Sequence, residues 1–179
     1  MSALFAQLVL GGARSGKTAF ALSEAAKSGL EKWMIVTSRT DDLDSEMHDR
    51  IAAHRAERGF DWTVVEEPSE LLNVLEGLAR TDRIVVVDCL TLWLSNLLSE
   101  QRDLSAEAAR LASGIKGLSG SAIFVSNEIG LGLVPETPVG RVFRDAQGRL
   151  NQAMARACDR VTFVAAGLPL NLKSDAGLS

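Results

Sequence analysis

The sequence predicts an α/β protein, a doubly wound and mostly parallel sheet in one domain over residues 1–179. Three observations predict it. Short apolar, β-branched runs alternate along the chain with segments of helical period. Most of these runs are apolar at consecutive positions, as strands covered on both faces require. The first, Leu8-Val9-Leu10, leads directly into GGARSGKT and then into a helical pattern. That is the strand–loop–helix setting that gives G-x-x-x-x-G-K-[ST] its meaning as a phosphate-binding loop.

The elements follow in order. Strand runs fall at 7–10, 33–37, 62–66, 83–88, 122–126 and 160–165, and helical patterns at 18–27, 45–58, 69–79, 90–98, 106–115 and 139–157. Ser45 and Ser69 stand where N-caps are expected. A last run, 168–173, turns back across Gly167 and reads as an antiparallel C-terminal edge strand. Residues 99–103 read as an exposed loop and 174–179 as a frayed tail. No repeat, low-complexity tract or linker divides the chain.

Composition narrows the function classes. A net charge of −4 counts against a nucleic-acid partner, which calls for a basic excess. No apolar run is long enough to span a bilayer. The start, MSALFAQLVL, lacks the basic region and cleavage site of a signal peptide. Cys89 and Cys158 stand far apart without metal-ligand spacing and read as reduced thiols. A cytoplasmic enzyme is the expectation.

In sheets of this kind ligands gather at the carboxyl ends of the strands. There Gly11, Gly12 and Gly16 let backbone N–H groups wrap a phosphate chain at a helix N-terminus. Lys17 reaches toward β- and γ-phosphates, and Thr18 is placed to hold Mg²⁺. The same rule selects Thr37, Ser38 and Arg39 after the second strand, Glu66 and Glu67 at the end of the third, Asp88 after the fourth, and Asn127 and Glu128 after the fifth. Asp88 reads either as the acid on the metal side or as a helix cap, and the phosphate loop favours the first. The glycine-rich, apolar segment after Glu128 reads equally as a mobile loop over the site or as a plain connection.

Other residues leave two readings open. Glu46, Arg50 and His54 share one helix face at i, i+4 and i+8. His54 is then a solvated helix residue or a nucleophile, since a neutral imidazole attacks phosphorus without first losing a proton. Arg39, Arg55 and Arg58 are solvated cations or the positive field around a triphosphate. On the last helix Arg141–Asp145 and Asp145–Arg149 are spaced as i,i+4 pairs, on a face that is either ion-paired and exposed or a subunit interface.

Five segments, in this order, carry a resemblance: GGARSGKT, TSRTDDLDSEMHDRIAAHRAERG, VVDCLTLWLSNLL, VSNEIGLGLVPETPVGRVFRD and GRLNQAMA. Together they resemble the bifunctional adenosylcobinamide kinase / adenosylcobinamide-phosphate guanylyltransferase family of cobalamin biosynthesis, nearly end to end. The resemblance implies a P-loop NTPase fold with a RecA-like core and a homotrimer. It implies that ATP or GTP phosphorylates adenosylcobinamide. It also implies that His54 attacks the α-phosphate of GTP to form a guanylyl-histidine, whose GMP passes to adenosylcobinamide phosphate. Carried over position by position, the nucleotide meets Gly11, Gly12, Ala13, Arg14, Ser15, Gly16, Lys17 and Thr18. It also meets Thr37, Ser38, Arg39, Arg55, Ala56, Glu57, Arg58, Glu66 and Asp88. His54 and Lys17 are the catalytic pair, and Thr18 and Asp88 hold Mg²⁺. Some members of the family carry two adjacent histidines where this chain has Ala53-His54.

Overall fold

The computed structural model describes residues 4–39 and 61–174. The strands are β1 (Ala6–Gly11), β2 (Glu31–Val36), β3 (Trp62–Glu66), β4 (Arg83–Asp88), β5 (Ser121–Asn127), β6 (Arg160–Ala165) and β7 (Leu168–Lys173). The helices among the described residues are α1 (Lys17–Lys27), α2 (Leu71–Leu78), α3 (Leu90–Ser99), α4 (Leu104–Ile115) and α5 (Pro138–Ala157). The expected helix over 45–58, with its cap Ser45, lies outside the described residues.

One sheet joins all seven strands in the order β3-β2-β4-β5-β1-β6-β7. Every neighbouring pair is parallel except β6 and β7, so the antiparallel C-terminal edge strand is present. Side chains alternate across the sheet as the two-residue strand period requires. Leu8, Leu10, Ile35, Val85, Val87, Ala122 and Phe124 face one side, against α2 to α5. Val9, Met34, Ile84, Val86, Ile123 and Val125 face the other, against Ala21 and Ala25 of α1. The central strands are apolar on both faces for this reason.

Helix starts follow local chemistry in part. Asp103 caps α4 by accepting from the backbone N–H of Ser105 and Ala106, each at 3.0 Å. Thr137 caps α5, with Pro138 at its first position. Ser69, expected as a cap, is not one. The Glu67 carboxylate accepts from the N–H groups of Ser69 and Glu70, at 2.9 and 2.7 Å. The Ser69 hydroxyl instead donates to Glu100 at 2.5 Å, and its carbonyl accepts from the Trp93 indole at 2.9 Å. Tertiary partners outbid the local cap. The pairing expected along α5 also differs: Asp145 joins Arg144 at 3.1 Å, and Arg141 donates to the carbonyls of Pro135 and Glu136.

Burial sets the state of both thiols. Desolvation, helped by the neighbouring Asp88, pushes Cys89 up to about 11, and desolvation with Asp159 nearby pushes Cys158 up to about 12. Both are free and buried. At pH 8 neither thiol is expected to react with a soluble disulfide reagent until the protein unfolds. Absorbance of the released thiolate checks this. Phe124 in mid-sheet is among the largest fully buried side chains of the described residues. Phe124→Ala should cost about 3–5 kcal/mol, read as a shift of the urea midpoint with unchanged slope.

Candidate phosphate-binding site

The loop between β1 and α1 supplies most of the site. Gly16 is the N-cap of α1 with φ 92° and no side-chain cap, so the first N–H groups of the helix stay available. Arg14 also has a positive φ, 54°. Successive N–H groups in such a turn form an anion-binding concavity. A Cβ on Gly11 would fall 2.4 Å from Ser15 Oγ and 2.6 Å from the Val164 carbonyl oxygen, so only glycine passes there.

Two neighbours hold the loop from outside, and Lys17 holds it from within. The Glu128 N–H donates to the Gly11 carbonyl at 3.0 Å, and Lys17 Nζ donates to the Gly12 carbonyl at 3.0 Å. The Gly167 N–H donates to the Ser15 carbonyl at 2.8 Å. The last comes from the β6–β7 turn, where Ala166 and Gly167 both have positive φ, as a two-residue hairpin requires. The edge hairpin therefore buttresses the phosphate loop, a role that strand patterning alone does not reveal.

Lys17 and Asp88 come together. Burial lowers the Lys17 ammonium from its ordinary range, opposed by the nearby Asp88 carboxylate. Asp88 closes β4 on the α1 side of the sheet and joins Cys89 through a cis peptide bond. Thr18 sits in the first turn of α1, beside Lys17. A hydroxyl and one carboxylate are hard oxygen donors of the kind Mg²⁺ takes when substrate phosphates and water complete its shell. No group of three His, Cys, Asp or Glu among the described residues would hold an ion unaided. The donor set thus fits a metal carried in with a nucleotide.

The remaining candidates lie further along the rim. β2 stands three strands from β1, about 14 Å away, and β3 about 19 Å. Thr37 is fully buried on the α3 side and works as a clamp. Its hydroxyl donates to the Cys89 carbonyl at 2.7 Å and accepts from the Cys89 N–H at 3.0 Å. Asn96 Nδ2 donates to the Thr37 carbonyl at 2.7 Å. Ser38 is buried at the same edge. The Arg39 guanidinium pairs with Glu100 at the end of α3. Glu66 ends β3 level with Val36 and is exposed. His54, Arg55, Ala56, Glu57 and Arg58 lie outside the described residues. Glu128 turns its carboxylate to the Gly130 N–H at 2.5 Å, and the loop beyond exposes Leu131, Leu133 and Val134.

The sequence missed a buried polar cluster beneath this rim. Gln147 and Asn151 of α5 meet Ser126 of β5 at 2.9 and 2.7 Å, and Asn151 Nδ2 donates to the Asn127 carbonyl at 3.1 Å. The signal available was polar residues on the line of Ala146, Leu150 and Met154, at positions a helix packed on a sheet fills with apolar groups.

A phosphate loop at the carboxyl edge of such a sheet defines the class: a P-loop NTPase with a RecA-like core. RadB recombinase has the same fold, superposing with a TM-score of 0.50 at 17% identity over 89% of this chain and 73% of that one. The chain belongs to the family described as cobinamide kinase / cobinamide phosphate guanyltransferase, which matches residues 7–172. It is 46% identical over 170 residues to the bifunctional adenosylcobalamin biosynthesis protein CobP of Pseudomonas aeruginosa, covering 94% of this chain and 97% of that protein. It is 31% identical over 181 residues to the bifunctional adenosylcobalamin biosynthesis protein CobU of Escherichia coli, covering 93% and 98%. It is thus similar to enzymes of cobalamin biosynthesis.

Thr37→Val should strand the Cys89 N–H in a dry interior, while the Cys89 carbonyl keeps its bond from the Trp93 N–H at 3.2 Å. It is expected to destabilise the protein by about 2 kcal/mol or more, while Thr37→Ser keeps most of that stability. Urea denaturation of both variants checks it.

Proposed function

We propose that this chain phosphorylates adenosylcobinamide with ATP or GTP. It then transfers GMP from GTP to adenosylcobinamide phosphate, giving adenosylcobinamide-GDP and pyrophosphate. The observation that carries the reading is the phosphate loop with Lys17 set against Asp88, in a chain of this family.

In the kinase step the aminopropanol hydroxyl of the corrinoid attacks the γ-phosphorus. A P–O bond to it forms, the P–O bond to the nucleoside diphosphate breaks, and the hydroxyl proton leaves. In the transferase step an imidazole nitrogen of His54 attacks the α-phosphorus of GTP. A P–N bond forms, the P–O bond to the β-phosphate breaks, and pyrophosphate departs. A phosphate oxygen of adenosylcobinamide phosphate then attacks the same phosphorus and frees His54. Splitting the transfer in two lets one site take two bulky partners in turn.

The chain's own groups supply positioning and charge. The N–H groups of residues 11–18 hold the phosphates, and Lys17 stabilises charge on the departing group. Mg²⁺, when bound at Thr18 and Asp88, supplies Lewis-acid stabilisation of the phosphate oxygens. Arg39, Arg55 and Arg58 add positive field, with Thr37, Ser38, Ala56, Glu57 and Glu66 completing the nucleotide contacts. His54 lies on a segment remote in sequence from the loop, and it docks on the α-phosphate when GTP binds. The exposed Leu131 and Val134 offer apolar surface to the corrinoid.

The protein works as a cytoplasmic homotrimer without a nucleic-acid partner. No helix among the described residues is long and apolar enough to cross a membrane. Leu168, Leu170 and Leu172 along β7, with Val139 and Val142 of α5, are exposed and give apolar surface for subunit contacts.

The test is incubation with Mg²⁺ and α-³²P-GTP without corrinoid. Wild type should carry acid-labile label, and His54→Ala none. Equal label on both moves the nucleophile elsewhere, and no label on either despite bound GTP leaves only a kinase. Lys17→Ala should lower both activities by about a hundredfold or more, measured as kcat in each half-reaction.

A further inference from the structure

Arg39 is read above as a nucleotide contact, yet it starts well away from the phosphate loop. β2 stands three strands from β1, about 14 Å away, and Arg39 lies three residues beyond its end at Val36. A long, flexible side chain has many directions open to it, and ordering it costs entropy. A fixed partner lowers that cost before the ligand arrives.

Glu100 is such a partner. One terminal nitrogen of the Arg39 guanidinium pairs with its carboxylate, and the Arg39 Nε is buried without a partner. The same Glu100 oxygen accepts from the Ser69 hydroxyl at 2.5 Å, and Arg102 stands 3.9 Å from the other oxygen. The pairing side chains are 35% and 30% exposed, so the pair itself adds little to stability. Local chemistry does not call for the glutamate either. It is the C-cap of α3, where the helix dipole disfavours a negative charge.

Both residues stand next to fixed main chain. α3 ends in a Schellman turn, with Gln101 at φ 57°. The Gln101 N–H donates to the Leu98 carbonyl at 3.1 Å, and the Arg102 N–H to the Leu97 carbonyl at 3.0 Å. Thr37, two residues before Arg39, is tied to the Cys89 backbone. Asn96 of α3 bonds to the Thr37 carbonyl, so the helix that carries Glu100 also holds the end of β2. The carboxylate is therefore set at a defined place relative to the root of the arginine. A guanidinium engaged through one nitrogen keeps the rest of its fork for another anion.

We propose that Glu100 is a positioning residue of the nucleotide site. Its carboxylate seats the Arg39 guanidinium, whose remaining donors then meet the triphosphate, and Glu100 itself does not touch the nucleotide. The inference rests on the nucleotide reading above.

The experiment is calorimetric titration with the α,β-methylene analogue of GTP, with Mg²⁺ and no corrinoid, so that attack on the α-phosphorus cannot cleave the ligand. Arg39→Ala should weaken binding about tenfold. Glu100→Gln keeps the shape and an acceptor for Ser69 but loses the charge, and should weaken it about fivefold. Glu100→Asp keeps the charge and should stay within about twofold of wild type. In the Arg39→Ala protein, Glu100→Gln should change affinity by less than about twofold, since its effect passes through the arginine. The same loss with and without Arg39, or a Gln variant that binds better than the Asp variant, assigns Glu100 a structural role and overturns the inference. Tighter binding by Glu100→Gln also overturns it, because Glu100 would then hold Arg39 away from the ligand. So does an Arg39→Ala protein that binds like wild type, which leaves nothing to position. If wild type does not bind the analogue at all, the nucleotide reading itself fails and the inference falls with it.

Discussion

The rest of the site depends on one constraint: the turn between β1 and α1 must keep its shape with no side-chain cap on the helix and, inside it, a bond from the Ser15 N–H to the Gly12 carbonyl at 3.3 Å. No side chain caps α1, and both Arg14 and Gly16 take left-handed conformations. Such a turn costs conformational energy and must be held by its surroundings. The carbonyls of Gly11, Gly12 and Ser15 are each engaged, by the Glu128 N–H, the Lys17 side chain and the Gly167 N–H. These ties hold the shape of the loop. Two of the three ties come from chain segments more than a hundred residues away. The order of strands, with β1 between β5 and β6, is what brings them there.

The same demand accounts for polarity where the core is otherwise apolar. The last residue of β5 has outrun β4, so its carbonyl needs another partner. Asn151 supplies it, and Ser126 and Gln147 satisfy Asn151. The cluster places α5 on the sheet by hydrogen-bond direction as well as by volume, since a slip along the helix axis would strand several buried polar atoms at once. Across the sheet Thr37 does comparable work. It ties the end of β2 to the Cys89 backbone where β4 turns into α3, just beyond the carboxylate that faces Lys17. The rim is thus braced at both ends by buried side-chain bonds to main chain.

The surface around this rim is uneven in character. On one side Arg39, Ser69 and Arg102 gather on Glu100. On the other, the segment from Gly130 to Pro135 leaves Leu133 96% exposed, and β7 turns a row of leucines outward. A charged edge and an apolar edge flank one phosphate loop.

Much was legible in the sequence because it is locally coded. Strand runs were visible because a strand covered on both faces is apolar at every position, and all seven strands formed close to the expected bounds. The loop was visible because glycines, lysine and threonine at fixed spacing are what a phosphate cradle requires. What failed was local inference where distant groups competed. Ser69 lost its capping role to Glu67 because its hydroxyl and carbonyl found partners on α3. Arg141 left Asp145 for two carbonyls of the preceding loop. The sequence by itself determined the sheet, its helical cover and the chemistry of the phosphate loop, since periodicity and short motifs are properties of neighbours in the chain. Only the tertiary structure decided that an edge hairpin props the loop, that Thr37 ties the end of β2 to the Cys89 backbone, and that the Asn127 side-chain oxygen is buried without a partner. Those depend on strand order and on which buried polar groups find partners, and neither is written in the spacing of residues.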